Sequence, residues 1–162
     1  MSGTFGSGVD DGNGVGSAPP VPRLQVVGQY VKDLSFENPG MPSNPGGRPQ
    51  IELGVDLQAR QMDADAYEVE LKMRVSAQSE GRTLFLLELL YAGVFQLMSV
   101  PEEMRQPILL IDAPHILFPF ARRIVADVVR DGGMPPLLVE PIDFAALYRA
   151  RAGEMQQPQG VA

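Results

Sequence analysis

"TLFLLELLYAGVFQL", residues 83–97, carries a single charge, Glu88. Successive side chains of a β-strand point to opposite faces, so a strand with one wet face alternates apolar and polar residues. This stretch does not alternate. Read as a strand, it sends Phe85, Leu87, Leu89 and Tyr91 to one face, while Leu84, Leu86 and Leu90 share the other with Glu88. Both faces therefore need cover, at least part of the time.

Three further strands lead up to it. "LQVVGQYVKDLSFE" (24–37) is rich in β-branched and aromatic residues and stops at "NPGMPSNPGGRP" (38–49). Proline cannot donate to a sheet ladder, so a long loop follows, of a length that is uncommon in compact domains and often functional. "QIELGVDLQARQ" (50–61) and "DADAYEVELKMRVSAQSEG" (63–81) then alternate cleanly, with Ile51, Leu53, Val55 and Leu57 and afterwards Tyr67, Val69, Leu71, Met73 and Val75 on the apolar side. Polar turns, the second at Ser79–Arg82, separate these runs. Four strands joined mostly by short turns imply an antiparallel sheet.

After Pro101 the period changes. Acids open the segment, Gly132 and Gly133 close it, and Pro107 and Pro114 are expected to divide it into a short helix and a long one. Along the long helix Ile116, Leu117, Phe120, Ala121, Ile124, Val125, Val128 and Val129 fill about half the circumference at 100° per residue. One small sheet does not need an arc that wide, which points to packing against another subunit. Asp143 is placed to cap a last helix, "DFAALYRARA" (143–152). The fold class is thus α+β, with a four-stranded antiparallel sheet followed by a short, a long and a C-terminal helix. Gly- and Ser-rich residues 1–21 and residues 153–162 read as disordered tails around a single domain, 22–152.

The chain of 162 residues has a formal charge of −7 and no cysteine. Such an acid excess argues against nucleic acid or an anionic membrane as partner and favours a basic one. The missing cysteine excludes disulfides and thiolate chemistry. The first twenty residues lack a basic start and an apolar run, which suggests a cytoplasmic protein. Glu88, Gln96 and Gly93 make residues 84–100 a poor membrane span.

No catalytic constellation is legible. His115 is the single histidine and stands beside Pro114 with no nucleophile nearby, so it reads as a plain helix-start residue. Asp63 and Asp65 lack the glycine and distal glutamate of a calcium loop and read as a polar turn. No metal, cofactor or enzyme activity is expected.

Four segments carry a resemblance: "YVKDLSFENP" (30–39), "YEVELKMRVSA" (67–77), "PHILFPFARRIVADVVRDGGMPPL" (114–137) and "EPIDFAALY" (140–148). In order and spacing they resemble SecB, the bacterial protein-export chaperone family. The resemblance implies an ATP-independent holdase that keeps precursor proteins unfolded and passes them to the translocation ATPase SecA. It also implies a homotetramer, a dimer of dimers with long helices between two sheets. By the same resemblance Asp33, Glu37, Leu86 and Glu88 form an acidic SecA-docking surface for a basic, zinc-bearing tail. Alternation independently puts Asp33, Ser35 and Glu37 on one strand face.

A client groove is expected between the 38–49 loop, the sheet edge and the last helix, using Ile51, Leu53, Phe85, Phe144, Leu147 and Tyr148. Subunit contacts are expected at Leu87, Leu89, Tyr91, Leu117, Phe120, Ile124 and Val128. The sequence departs from the family in having no tryptophan, with Met41 as the one large apolar residue of the loop, and in a short tail without a strongly acidic end. Two alternatives stand beside the export chaperone: a SecB-like chaperone dedicated to a toxin-linked partner, and a non-catalytic ligand-binding α+β oligomer.

Overall fold

The computed structural model describes residues 16–40 and 46–156, with backbone alone for 155–156. The expected N-terminal tail up to residue 15, Met41 of the loop and the C-terminal tail from residue 157 lie outside the described residues. Strands β1 (Arg23–Glu37), β2 (Gln50–Gln61), β3 (Ala66–Ser79) and β4 (Arg82–Met98) form one antiparallel sheet in the order β1-β4-β3-β2. The opening stretch is therefore a central strand. Glu80 and Gly81 both take positive φ, 51° and 76°, the backbone of the tight two-residue turn that suits the twist of a hairpin. The 38–49 connection has the opposite task, because it carries the chain from one edge strand of the sheet to the other.

The helical segment divides into a short and a long helix, as expected, and the junction between them adds a detail. Pro107 ends α1 (Glu102–Pro107) and Pro114 stands at the start of α2 (Ala113–Asp131), but the backbone between them does not break. Residues Ile108–Asp112 wind as a π-helix, with the Ala113 amide donating to the Ile108 carbonyl. Widening the helix by one residue absorbs the bonds that proline cannot make. Asp143 caps α3 (Phe144–Gln156), its Oδ1 accepting from the Ala146 amide at 2.9 Å. α3 continues to Gln156, past the boundary drawn at residue 152, because one glycine in a run of good helix formers costs only about 1 kcal/mol.

The core lies between the inner face of β3 and β4 and one stripe of α2. Leu71, Met73, Val75, Leu87, Leu89 and Phe95 from the sheet meet Leu117, Ala121, Val125 and Val129 from the helix, all buried. Close approach is possible at Gly93, where a Cβ would stand 2.8 Å from Leu117 Cδ2. The helices cover the two central strands and reach the edge strands only in part, at Phe36 of β1 and Leu57 of β2. Leu34 and Val31 on β1 and Ile51 and Leu53 on β2 stay exposed, at 41%, 45%, 41% and 40%.

Candidate functional site

An apolar cavity of about 460 Å³ opens at the end of the sheet where β1 stops and β2 begins. Its walls come from both flanks of the crossover, Asn38 and Gly40 on one side and Gly46, Gly47 and Pro49 on the other. Ile51 and Phe85 come from the sheet, and Val129 closes one side from the end of α2. Phe85 is buried and stacks at a tilt on Phe36, ring centroids 5.8 Å apart. The remaining wall is Met134, Pro135, Pro136 and Leu137. The sequence reading assigns these residues no part in the client groove. The signal was present in an apolar "MPPLL" run with no polar face, too short to bury itself.

Of the residues expected in a client groove, Ile51 and Phe85 line this cavity and Leu53 lies next on the same face of β2. The α3 residues do not reach it. Phe144 is fully buried, edge-on to His115 at 5.0 Å and to Phe118 at 6.2 Å, and Leu147 and Tyr148 are half-buried nearby on the same helix. These contacts hold α3 at the start of α2, about 21 Å from Val129 by helical rise. Arg151 fixes it to β2 through the Leu57 carbonyl at 3.0 Å and the Asp56 carboxylate. Phe144 is a core residue because the His115 and Phe118 side chains enclose its ring.

The outer face of the sheet is polar. Ser35 pairs with Glu88 and Glu37 with Leu86, so Asp33, Glu37, Leu86 and Glu88 share this face. They do so because of a bulge at Lys32: Val31 pairs with Tyr91 and Asp33 with Leu90, which leaves Lys32 as an extra residue and shifts the alternation by one. Leu34 and Phe36 turn inward as a result. Arg74 on β3, opposite Glu88, was not anticipated; its Nε lies 3.5 Å from the Glu88 carboxylate. The partial exposure of Leu86 and Leu90 answers the question raised by β4: within the protomer these outer apolar residues have only neighbouring side chains for cover. Leu84 does not share that face as expected: Ala77 pairs with Phe85 and Gln78 with Thr83, which leaves Leu84 as the extra residue of a second bulge, and it lines the cavity and packs against the core.

Farther along this face one carboxylate gathers both edge strands. Glu68 on β3, only 4% exposed, accepts from the Tyr30 hydroxyl and from Lys32 Nζ (3.0 Å) on β1 and from Arg60 Nη2 (3.2 Å) on β2. Lys32 Nζ also meets Glu70 at 2.5 Å. The span runs over Ala92 of β4, which is completely buried beneath it. The Tyr30 hydrogen bond, with those from Lys32 and Arg60, holds the Glu68 carboxyl down at about 2 against the opposing effect of burial. Lys32 is correspondingly pushed up, by Glu70 first and then Glu68.

The residues expected at a subunit interface divide in two. Leu87, Leu89, Tyr91 and Leu117 are buried inside the protomer, because the inner sheet face and α2 close on each other. Phe120, 47% exposed, and the half-buried Ile124 and Val128, which also pack against the core, form a second apolar stripe on α2 beside the buried one. Among the described residues no cluster of three or more His, Asp or Glu could hold a metal ion, and no helix is long and apolar enough to cross a membrane. Asp65 instead pairs with Arg105 at 2.9 Å, and the Asp63 carboxylate accepts from the Ala64 amide within the turn.

Residues 17–155 match the family described as "Preprotein translocase subunit SecB". Known proteins agree. "Protein-export protein SecB" of Paramagnetospirillum magneticum is 54% identical over 88% of this chain and 94% of its own. That of Azorhizobium caulinodans is 49% identical over 86% and 89%. In architecture the chain resembles the SecB-like chaperone of Mycobacterium tuberculosis solved in complex with a ChAD peptide from the HigA1 antitoxin. The TM-score is 0.64 over 74% of this chain and 91% of that one, at 17% identity, a likeness of fold. The α+β architecture, the match along nearly the whole domain and the identity to these relatives agree: the chain belongs to the SecB family of protein-export chaperones.

Proposed function

We propose that this protein is an ATP-independent holdase that binds unfolded precursor proteins in the cytoplasm, keeps them competent for translocation and delivers them to SecA. The observation that carries this reading is the apolar cavity continuous with the exposed Ile51 and Leu53 of an edge strand. Burying a Leu or Phe against such a surface yields roughly 1.5 to 3 kcal/mol, so a few client side chains suffice without any reading of sequence. The open edge of β2 adds backbone hydrogen bonds that any extended peptide can make.

Asp33, Glu37, Leu86 and Glu88 are the SecA-docking surface in this reading, and the α2 stripe of Phe120, Ile124 and Val128 joins protomers into a dimer of dimers. The identity of about half to relatives named for protein export favours export over a dedicated toxin-linked role. The test is a refolding assay without nucleotide: an aggregation-prone polypeptide diluted from denaturant in the presence of stoichiometric protein. Delayed folding and suppressed light scattering are expected. Unchanged scattering would remove the holdase reading.

A further inference from the structure

The bulge in β1 places two neighbours in sequence, Lys32 and Asp33, on the same outer face of the sheet. Lys32 reaches Glu68 and Glu70 there, and Asp33 stands opposite the outward Leu90. A lysine beside Asp33 is badly placed for a surface that attracts cations, since its ammonium is the nearest intramolecular competitor for that carboxylate. The structure shows where this charge goes. Lys32 Nζ lies 3.0 Å from Glu68 and 2.5 Å from Glu70, across β4, while Asp33 and Glu37 have no ion-pair partner among the described residues. Glu68 is itself fixed by Tyr30 and Arg60, so the acceptor for Lys32 is anchored from both edges of the sheet.

We infer that Glu68 and Glu70 are positioning residues for docking: they hold the Lys32 ammonium over β3 and so leave Asp33 and Glu37 free to meet a cationic partner. The inference rests on the docking reading above and extends it to residues outside the acidic patch. It has a consequence of unusual sign. Removing two acids must weaken binding of a basic partner, and then removing a base, Lys32, must restore it.

The experiment is a thermodynamic cycle with purified SecA, followed by calorimetry on the full chain. Lys32→Gln alone is expected to leave the affinity within about two-fold, because its charge is already committed. Glu68→Gln with Glu70→Gln is expected to weaken binding about five-fold, and adding Lys32→Gln to that pair to bring the affinity back to within about two-fold of the unaltered chain. If Lys32→Gln strengthens binding equally in both backgrounds, only the general field of the surface acts and the inference falls. If it weakens binding in both, Lys32 has a structural role and the inference falls as well.

Circular dichroism and thermal melting check each variant. If the double variant fails to fold, Glu70→Gln alone, which spares the anchored Glu68, runs the same cycle. Glu88→Lys separates the two levels. If that variant binds SecA like the unaltered chain, the docking reading is wrong. If it loses binding while the cycle shows no coupling, only the positioning role is wrong.

Discussion

The Phe36 ring and Gly132 are packed so closely that a Cβ on Gly132 would stand 2.7 Å from two ring carbons. This contact joins the end of β1 to the end of α2, beside the cavity. The Asn38 amide reinforces it by donating to the Gly132 carbonyl at 2.9 Å. Gly132 has an ordinary φ of −75°, so its glycine character is demanded by the ring and not by the backbone.

Gly132→Ala is therefore expected to destabilise the protein by about 1 to 3 kcal/mol, the usual cost of forcing a methyl into a packed site. Denaturant unfolding gives the measurement. Because the clash is with Phe36, the same substitution in a Phe36→Leu background is expected to cost much less. An equal cost in both backgrounds would place its origin elsewhere.

Acid stability follows from Glu68. Its folded pKa of about 2 lies below the ordinary value of 4.5, so its contribution is complete above pH 4.5 and disappears as pH falls from 4.5 towards 2. Glu68→Gln is expected to cost about 1 kcal/mol at neutral pH, a value kept small because Lys32 and Arg60 are partly solvated, and to flatten the pH dependence in that window. Melting temperatures of the two proteins between pH 2 and 7 are expected to converge at the acid end. Parallel curves would show that Glu68 does not titrate as described.

Much of this was legible in the sequence, and the gaps have physical causes. Alternation located the strands, since a period of two survives in β2 and β3, and the apolar run of β4 announced a strand whose inner face is covered. The acidic face was legible because Asp33, Ser35 and Glu37 lie beyond the bulge and keep strict alternation among themselves. The bulge itself was not, because an extra residue leaves no mark in composition. The cavity was half legible: Ile51 and Phe85 follow from strand position, but whether α3 or the Met134–Leu137 segment forms the far wall depends on where a chain reversal sends the last helix. Leu87 and Leu117 were assigned to subunit contact because a one-dimensional pattern cannot separate apolar surface turned toward the protomer's own helix from that turned toward a neighbour.

The cavity wall gives a prediction for client capture. Ile51→Ser removes apolar surface at the mouth of the cavity, and because Ile51 is already 41% exposed the fold is expected to lose under about 1 kcal/mol. Affinity for a denatured client is expected to fall about three- to ten-fold, the equivalent of part of one side chain's burial. Tyr148→Ala, on α3 and away from the cavity, is expected to leave it unchanged. Fluorescence titration with a reduced, unfolded polypeptide measures both, and the reverse order of effects would move the groove back to α3.

Assembly is tested at Phe120. On the protomer its side chain is half in solvent, so Phe120→Glu is expected to preserve the fold, whereas Leu117→Ala, three residues earlier and fully buried against the sheet, is expected to cost about 2 to 5 kcal/mol. The two positions separate contact within the protomer from contact between protomers. If the α2 stripe joins subunits, placing a carboxylate at Phe120 buries an unpaired charge in the interface, and native mass spectrometry is expected to show a smaller assembly with unchanged circular dichroism. Ile124→Glu, one turn farther along the same stripe, is expected to act the same way. An unaltered mass for both variants would mean that these side chains are not where the subunits meet.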